Sequence, residues 1–254
     1  MLLAIDIGNT NIVIGVFASN RFLHFRLSTN LHTTEDEYCI NLSNLFHLYR
    51  IEEKPEGAII SSVVPQITPR IHRAVKVVFD VRALEVGPGI KTGMPILYDN
   101  PKEVGADRIV NAVGAYEEFK DALIVIDSGT AVTFDVISKR GEYIGGAIAP
   151  GIQISADALS EKTAKLPRVP IQQPPGVIGK TTVHSIQSGI FYGYLSMIEG
   201  MIRRIKHQMK CEPTVVATGG DCALFYRNLE CIDHYRPHLT LFGLKTIYEK
   251  NVKG

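Results

Sequence analysis

The chain has 254 residues, 45% of them apolar, and a formal net charge of +1. That length suits one large domain or two modest ones with a substantial core. Near-neutral charge without a long charged run excludes nucleic acid and a membrane surface as main partners, and no segment approaches the ~20 consecutive apolar residues of a spanning helix. The opening apolar run is broken by Asp6 and preceded by no basic residues, unlike a signal peptide. Cys39, Cys211, Cys222 and Cys231 show no C-x-x-C spacing and read as reduced thiols of a cytoplasmic protein.

The first stretch, Leu2 to Phe17, reads as a strand, a polar turn and an antiparallel strand. The turn residues Ile7-Gly8-Asn9-Thr10-Asn11 tolerate positive φ or bond their own backbone. Such a turn is either a plain hairpin or a cradle of N–H groups and hydroxyls for an anion, phosphate being the obvious one. In the second case Asp6, at its mouth, is placed to hold a Mg²⁺ bridging to that phosphate. A third strand over Arg21–Ser28 and a helix over Thr34–Tyr49, capped by Thr34, follow. Gly57–Val64 reads as a buried strand, Ile67–Phe79 as a helix, Arg82–Val86 as a short strand and Gly87–Pro101 as a loop. Gly105–Phe119 has the helical stripe Ala106, Ile109, Val110, Val113.

Val125–Ile137, VIDSGTAVTFDVI, repeats the opening pattern: Asp127 aligns with Asp6, and Gly129 with Gly8. Two hairpins of this kind, each opening half of the chain, predict a duplicated α/β architecture with Asp6 and Asp127 facing one cleft. The boundary is expected at Glu118–Asp121, giving halves 1–118 and 119–254. In the second half, Glu142–Ile148 reads as a strand, Ile152–Thr163 as a helix and Pro167–Gly179 as a proline-rich loop. The helix Thr182–Gln208 holds Gly189, Gly193 and Gly200, each costing roughly 1 kcal/mol relative to alanine. Close helix approach, across a dimer interface, is the expected reason. A strand Thr214–Thr218, the pair Gly219-Gly220, a helix from Asp221 and a last helix Leu241–Asn251 complete the chain.

Two Asp-x-Gly hairpins followed by a Gly-Gly turn resemble the nucleotide site of the superfamily of sugar kinases, actin and heat-shock chaperones, with duplicated ribonuclease H-like halves, mixed sheets flanked by helices, and ATP in the cleft between them. There is no G-x-x-x-x-G-K-[ST] and no G-x-G-x-x-G after a strand. The likeness sharpens in IDIGNTN (Ile5–Asn11), EVGADRIVNAVGAY (Glu103–Tyr116), DSGTAVTFDV (Asp127–Val136), GGAIAPGIQIS (Gly145–Ser155), TAKLPRV (Thr163–Val169), IGKTTV (Ile178–Val183) and QSGIFYG (Gln187–Gly193). In collinear order over nearly the whole chain, these resemble type III pantothenate kinase. Ser128 stands where that family usually has Cys, and Thr181 where it often has Asn.

The resemblance implies ATP-dependent phosphorylation of pantothenate, the first committed step towards coenzyme A, by a homodimer that requires Mg²⁺ with ATP and a monovalent cation, K⁺ or NH₄⁺. Carried over by position, it makes Asp6, Ile7, Gly8, Asn9, Thr10, Asn11, Ile12 and Val13 the ATP-phosphate loop, with Thr130 a further ATP contact and Asp127 the monovalent-cation ligand. Tyr98, Gly105, Ala106, Asp107, Arg108 and Thr182 become the pantothenate site, and Asp107 the base. The residues themselves fit this division. Arg108 offers a planar fork to a carboxylate, and Asp107 can take the proton of a hydroxyl, acting by orientation and needing no raised pKa. Each also has a plainer reading: a helix-start acid for Asp107, a surface ion pair for Arg108, a packing tyrosine for Tyr98. A nucleotide-dependent regulator or scaffold on the same fold is the alternative from another class, and an acetate or sugar kinase is the alternative substrate choice.

Overall fold

Residues 2–7 hold five apolar side chains and one carboxylate, a composition that suits a strand buried on both faces. In the structure, a computed structural model describing residues 1–19 and 21–252, this segment is β1 (Leu2–Ile7) at the centre of a five-stranded sheet. After it come β2 (Asn11–Phe17), β3 (Phe22–Ser28), α1 (Glu35–Leu48), β4 (Gly57–Ser62), α2 (Thr68–Phe79), β5 (Ala83–Glu85) and α3 (Ala106–Phe119). The sheet runs β3-β2-β1-β4-β5, with β1 antiparallel to β2 and parallel to β4. Thr34 starts α1 through a capping box: its backbone N–H donates to Glu37 at 2.6 Å, and the Glu37 N–H donates to Thr34 Oγ1 at 3.3 Å. Helix α3 is buried without a break from Arg108 to Ala115, well beyond the expected apolar stripe.

The second set of strands repeats the first. β6 (Leu123–Ser128), β7 (Ala131–Ile137) and β8 (Tyr143–Pro150) lead to α4 (Ile152–Glu161), α5 (Thr182–Met209), β9 (Thr214–Thr218), α6 (Cys222–Phe225), β10 (His234–Tyr235) and α7 (Leu239–Val252). The order β10-β9-β6-β7-β8, read backwards, is that of the first sheet. β1 and β6 alternate between buried and half-buried positions identically, as do β2 and β7, with Asp6 and Asp127 at the fifth place of their strands. The chain thus consists of two mixed five-stranded sheets flanked by helices, a duplicated α/β fold. One core gathers side chains from β1, β2, β4, α1 and α2; the other gathers them from β6, β7, β9, α4 and α5.

Two compact units divide the chain, residues 119–238 forming one and residues 1–118 the other, together with the segment from Leu239. The last helix, grouped by the sequence reading with the second half, therefore packs on the first sheet. Its Leu241, Leu244 and Ile247 are buried there. Gly15 leaves room for Leu241, and Gly57 for Tyr248. The helix expected from Asp221 is a single turn, and the two-residue strand β10 was not anticipated.

Candidate active site

The first turn is made by the ends of β1 and β2. Ile7 pairs with Ile12, and the Gly8 N–H donates to the Asn11 carbonyl at 3.0 Å. Ile7 and Ile12 are fully committed to the core, so this pair can offer a ligand only backbone groups. Asn9 and Thr10 are exposed at the tip, while Asp6, Gly8, Asn11 and Val13 are half-buried. Asp6 lies across the parallel ladder from Ser61. A residue the sequence reading passed over holds the turn: Thr29 donates from Oγ1 to the Gly8 carbonyl at 2.6 Å and from its N–H to the Thr10 carbonyl at 3.0 Å. A hydroxyl just past a strand that pairs with the turn was the available signal.

Gly105 to Arg108 open α3 in the same unit. The Gly105 carbonyl accepts the Ile109 N–H at 3.3 Å. Asp107 accepts the backbone N–H of Arg108 at 2.8 Å, one of the donors a helix start leaves unpaired. Burial pushes the Asp107 carboxyl above its ordinary value, outweighing the Arg108 N–H and guanidinium, which pull it down. The sequence reading required no such shift. Arg108 is 7% exposed, which removes the surface-ion-pair reading. Tyr98 is half-buried in the loop before α3. A cavity of about 500 Å³ runs between the end of β4 and this helix start, lined among others by Ser62, Val63, Ile96, Gly105 and Ala106. Val63 ties it to the first turn, its N–H donating to the Ile7 carbonyl at 3.0 Å.

The second unit carries the other turn. It is one residue shorter: Ser128 pairs with Val132, and the Gly129 N–H donates to the Ala131 carbonyl at 2.9 Å. Two distant glycines pack against it. Gly151 donates to the Thr130 carbonyl at 3.0 Å, and a Cβ there would overlap the carbonyl oxygens of Gly129 and Thr130. Gly219 has φ +94°, and a Cβ there would sit 2.5 Å from Asp127 Oδ1. Thr130 is exposed, and Asp127 half-buried, across the ladder from Thr218. The Asp221 N–H donates to the Ser128 carbonyl at 3.0 Å. Burial pushes the Asp221 carboxyl up. Burial, then the charges of Asp127 and Asp221, push the Cys222 thiol up to about 12. The charges of Asp221 and Asp127 thus both act on Cys222, and Asp221 is a neighbour of the second turn that the sequence reading missed. Thr182 is exposed at the first position of α5, after the cap Thr181, which accepts the His184 N–H at 3.2 Å.

The chain as a whole matches a family of known proteins. The type III pantothenate kinase family model covers residues 2–204. The chain is 50% identical over 253 residues to the type III pantothenate kinase of Geotalea uraniireducens, spanning 99% of each. It is 51% identical over 257 residues to that of Syntrophobacter fumaroxidans, spanning 100% of each. The chain belongs to the type III pantothenate kinase family. Among solved structures it is similar to a ROK family glucokinase from Streptomyces griseus in complex with glucose and AMPPNP, with TM-score 0.54 at 12% identity, covering 100% of this chain and 99% of that one. At that identity the likeness carries the fold alone, the duplicated halves of the actin and hexokinase kind. The residues expected from the sequence to form the site fall in both compact units: Asp6 to Val13, Tyr98 and Gly105 to Arg108 in the first, Asp127, Thr130 and Thr182 in the second.

Proposed function

We propose that the chain transfers the γ-phosphoryl group of ATP to the primary hydroxyl of pantothenate, giving 4'-phosphopantothenate on the route to coenzyme A. The observation that carries this is the half-identity with type III pantothenate kinases over the full length of the chain. The first turn, Asp6 to Val13, and Thr130 of the second serve ATP. Tyr98, Gly105 to Arg108 and Thr182 serve pantothenate, with the buried Arg108 guanidinium facing its carboxylate. The hydroxyl oxygen bonds to the γ-phosphorus, the bond to the ADP oxygen breaks, and the hydroxyl proton passes to Asp107. A carboxylate raised by burial holds that proton better than an ordinary one.

The donors at both turns are carboxylates, hydroxyls and backbone carbonyls, hard oxygens that fit Mg²⁺ or an alkali ion, while the nearby soft donor, the Cys222 thiol, is kept protonated by burial. Mg²⁺ bound with ATP would neutralise phosphate charge, with Asp6 reaching it through the phosphate. Asp127, with the carbonyls of its turn, would hold the monovalent cation, K⁺ or NH₄⁺. The reading includes a cytoplasmic homodimer. Gly189 and Gly193 are exposed on α5, and among the described residues a Cβ on either would meet nothing beyond its own stretch of helix within 4 Å, so no packing there accounts for these glycines. A second copy packed there would.

ADP release, measured with and without pantothenate in K⁺ and then in Na⁺, tests the proposal. Release that depends on pantothenate and is faster in K⁺ is expected. ATP turnover indifferent to pantothenate would refute the reaction, and equal rates in K⁺, Na⁺ and a bulky organic cation would refute the cation. Sedimentation as a monomer at micromolar concentration would refute the dimer.

A further inference from the structure

Two things call for glycine at a helix start: a backbone conformation that other residues avoid, or no room for a side chain. The first does not hold at Gly105, whose φ lies outside the left-handed region. The second does. A Cβ built on Gly105 would lie 2.5 Å from Asp107 Oδ1 and 3.7 Å from its Cγ, with Val63 Cγ1 next at 3.8 Å. The crowding thus comes from one carboxylate oxygen. That carboxylate folds back along the first turn of α3, over the Cα of Gly105, where it accepts the Arg108 N–H at 2.8 Å.

We propose that Gly105 is a positioning residue: the missing side chain lets the Asp107 carboxylate lie against the helix start in its buried orientation. Val63 is at ordinary contact distance, so a methyl group at 105 is accommodated by rotating the Asp107 side chain and by little else. The change falls on where the carboxylate sits and not on the fold. Gly151 and Gly243 differ, because a Cβ on either meets backbone that cannot rotate away. The charged group acting on Asp107 is Arg108, on the same helix; Val63, from the segment after β4, is apolar. The kinetic consequence rests on the reading of Asp107 as the base; the geometric one does not.

The test introduces Gly105→Ala into the otherwise unchanged chain and into Asp107→Asn. It measures steady-state rates with MgATP and pantothenate, melting, and the ¹³C carboxyl resonances of labelled aspartates. In the unchanged background, Gly105→Ala should keep a cooperative melt and the KM for ATP while lowering kcat on the order of 10²-fold, the scale of a misplaced reacting group. In the Asp107→Asn background it should cause no further loss. The Asp107 resonance should move and titrate closer to the ordinary aspartate range. Unchanged kcat, the same fold-loss in both backgrounds, a stationary resonance or an unfolded Gly105→Ala protein would each overturn the proposal. Should Asp107→Asn alone keep full turnover, the base reading fails, and the Asp107 resonance still decides whether Gly105 sets the carboxylate's place.

Discussion

Gly243 of α7 lies so close to Val110 of α3 that a Cβ on the glycine would overlap the Val110 carbonyl oxygen and come within 2.9 Å of Val110 Cγ1. The approach is mutual, since a Cβ on Gly114 would sit 3.0 Å from the Gly243 Cα. The face of α3 that carries Val110 and Gly114 is buried against α7. Gly243→Ala has no rotamer to move aside and must push the two helix backbones away from each other. It should destabilise the protein by about 1–3 kcal/mol, in the range of overpacked cores, as read by urea denaturation. A variant as stable as the parent would mean that the two helices separate at little cost.

Asp107→Asn separates chemistry from stability. An amide keeps the acceptor for the Arg108 N–H and loses the base, so kcat should fall by ~10²–10⁴ while pantothenate binding changes little. Stability should move the other way. The folded chain holds the Asp107 proton more tightly than the unfolded chain does, because burial raises the carboxyl. Its stabilising contribution is complete below the ordinary aspartate range and is lost as pH rises through the raised folded value. Asparagine has no such loss. The variant should melt above the parent beyond that window, and the gap should close on acidification. A gap that widens in acid would contradict the burial argument.

Thr29→Val removes one hydroxyl and keeps the shape. The lost bond to the Gly8 carbonyl, 2.6 Å long, should cost about 0.5–1.5 kcal/mol. Because Thr29 bonds both sides of the first turn, the KM for ATP should rise while the KM for pantothenate stays near that of the parent. An equal rise in both would show that Thr29 supports more than the phosphate turn.

The four thiols should differ in reactivity. Cys211 is exposed; Cys222 is buried, and its thiol is pushed up to about 12. Alkylation of the native protein near pH 8, followed by mass spectrometry, should modify Cys211 first and leave Cys222 intact until denaturant is added. Early modification of Cys222 would mean that α6 opens readily.

Much of this protein could be read in one dimension. Each Asp-x-Gly hairpin is a local object: a continuous apolar run interrupted by one carboxylate, a polar turn and a second apolar run. That is why Asp6 and Asp127 occupy equivalent places in their strands. Capping at Thr34 was legible for the same reason, since cap and acceptor are three residues apart. Tertiary structure decided what depends on distant partners. Helix α7 has an ordinary apolar face that names no partner; Gly15 and Gly57 leave the space that docks it on the first sheet and Gly114 the space against α3, and all three are far away in the chain. Asp221 came beside the second turn only through the parallel pairing of β6 with β9. The carboxyl of Asp107 could be named from its motif, but its raised proton affinity comes from desolvation, and desolvation depends on everything that packs around a group rather than on its neighbours along the chain.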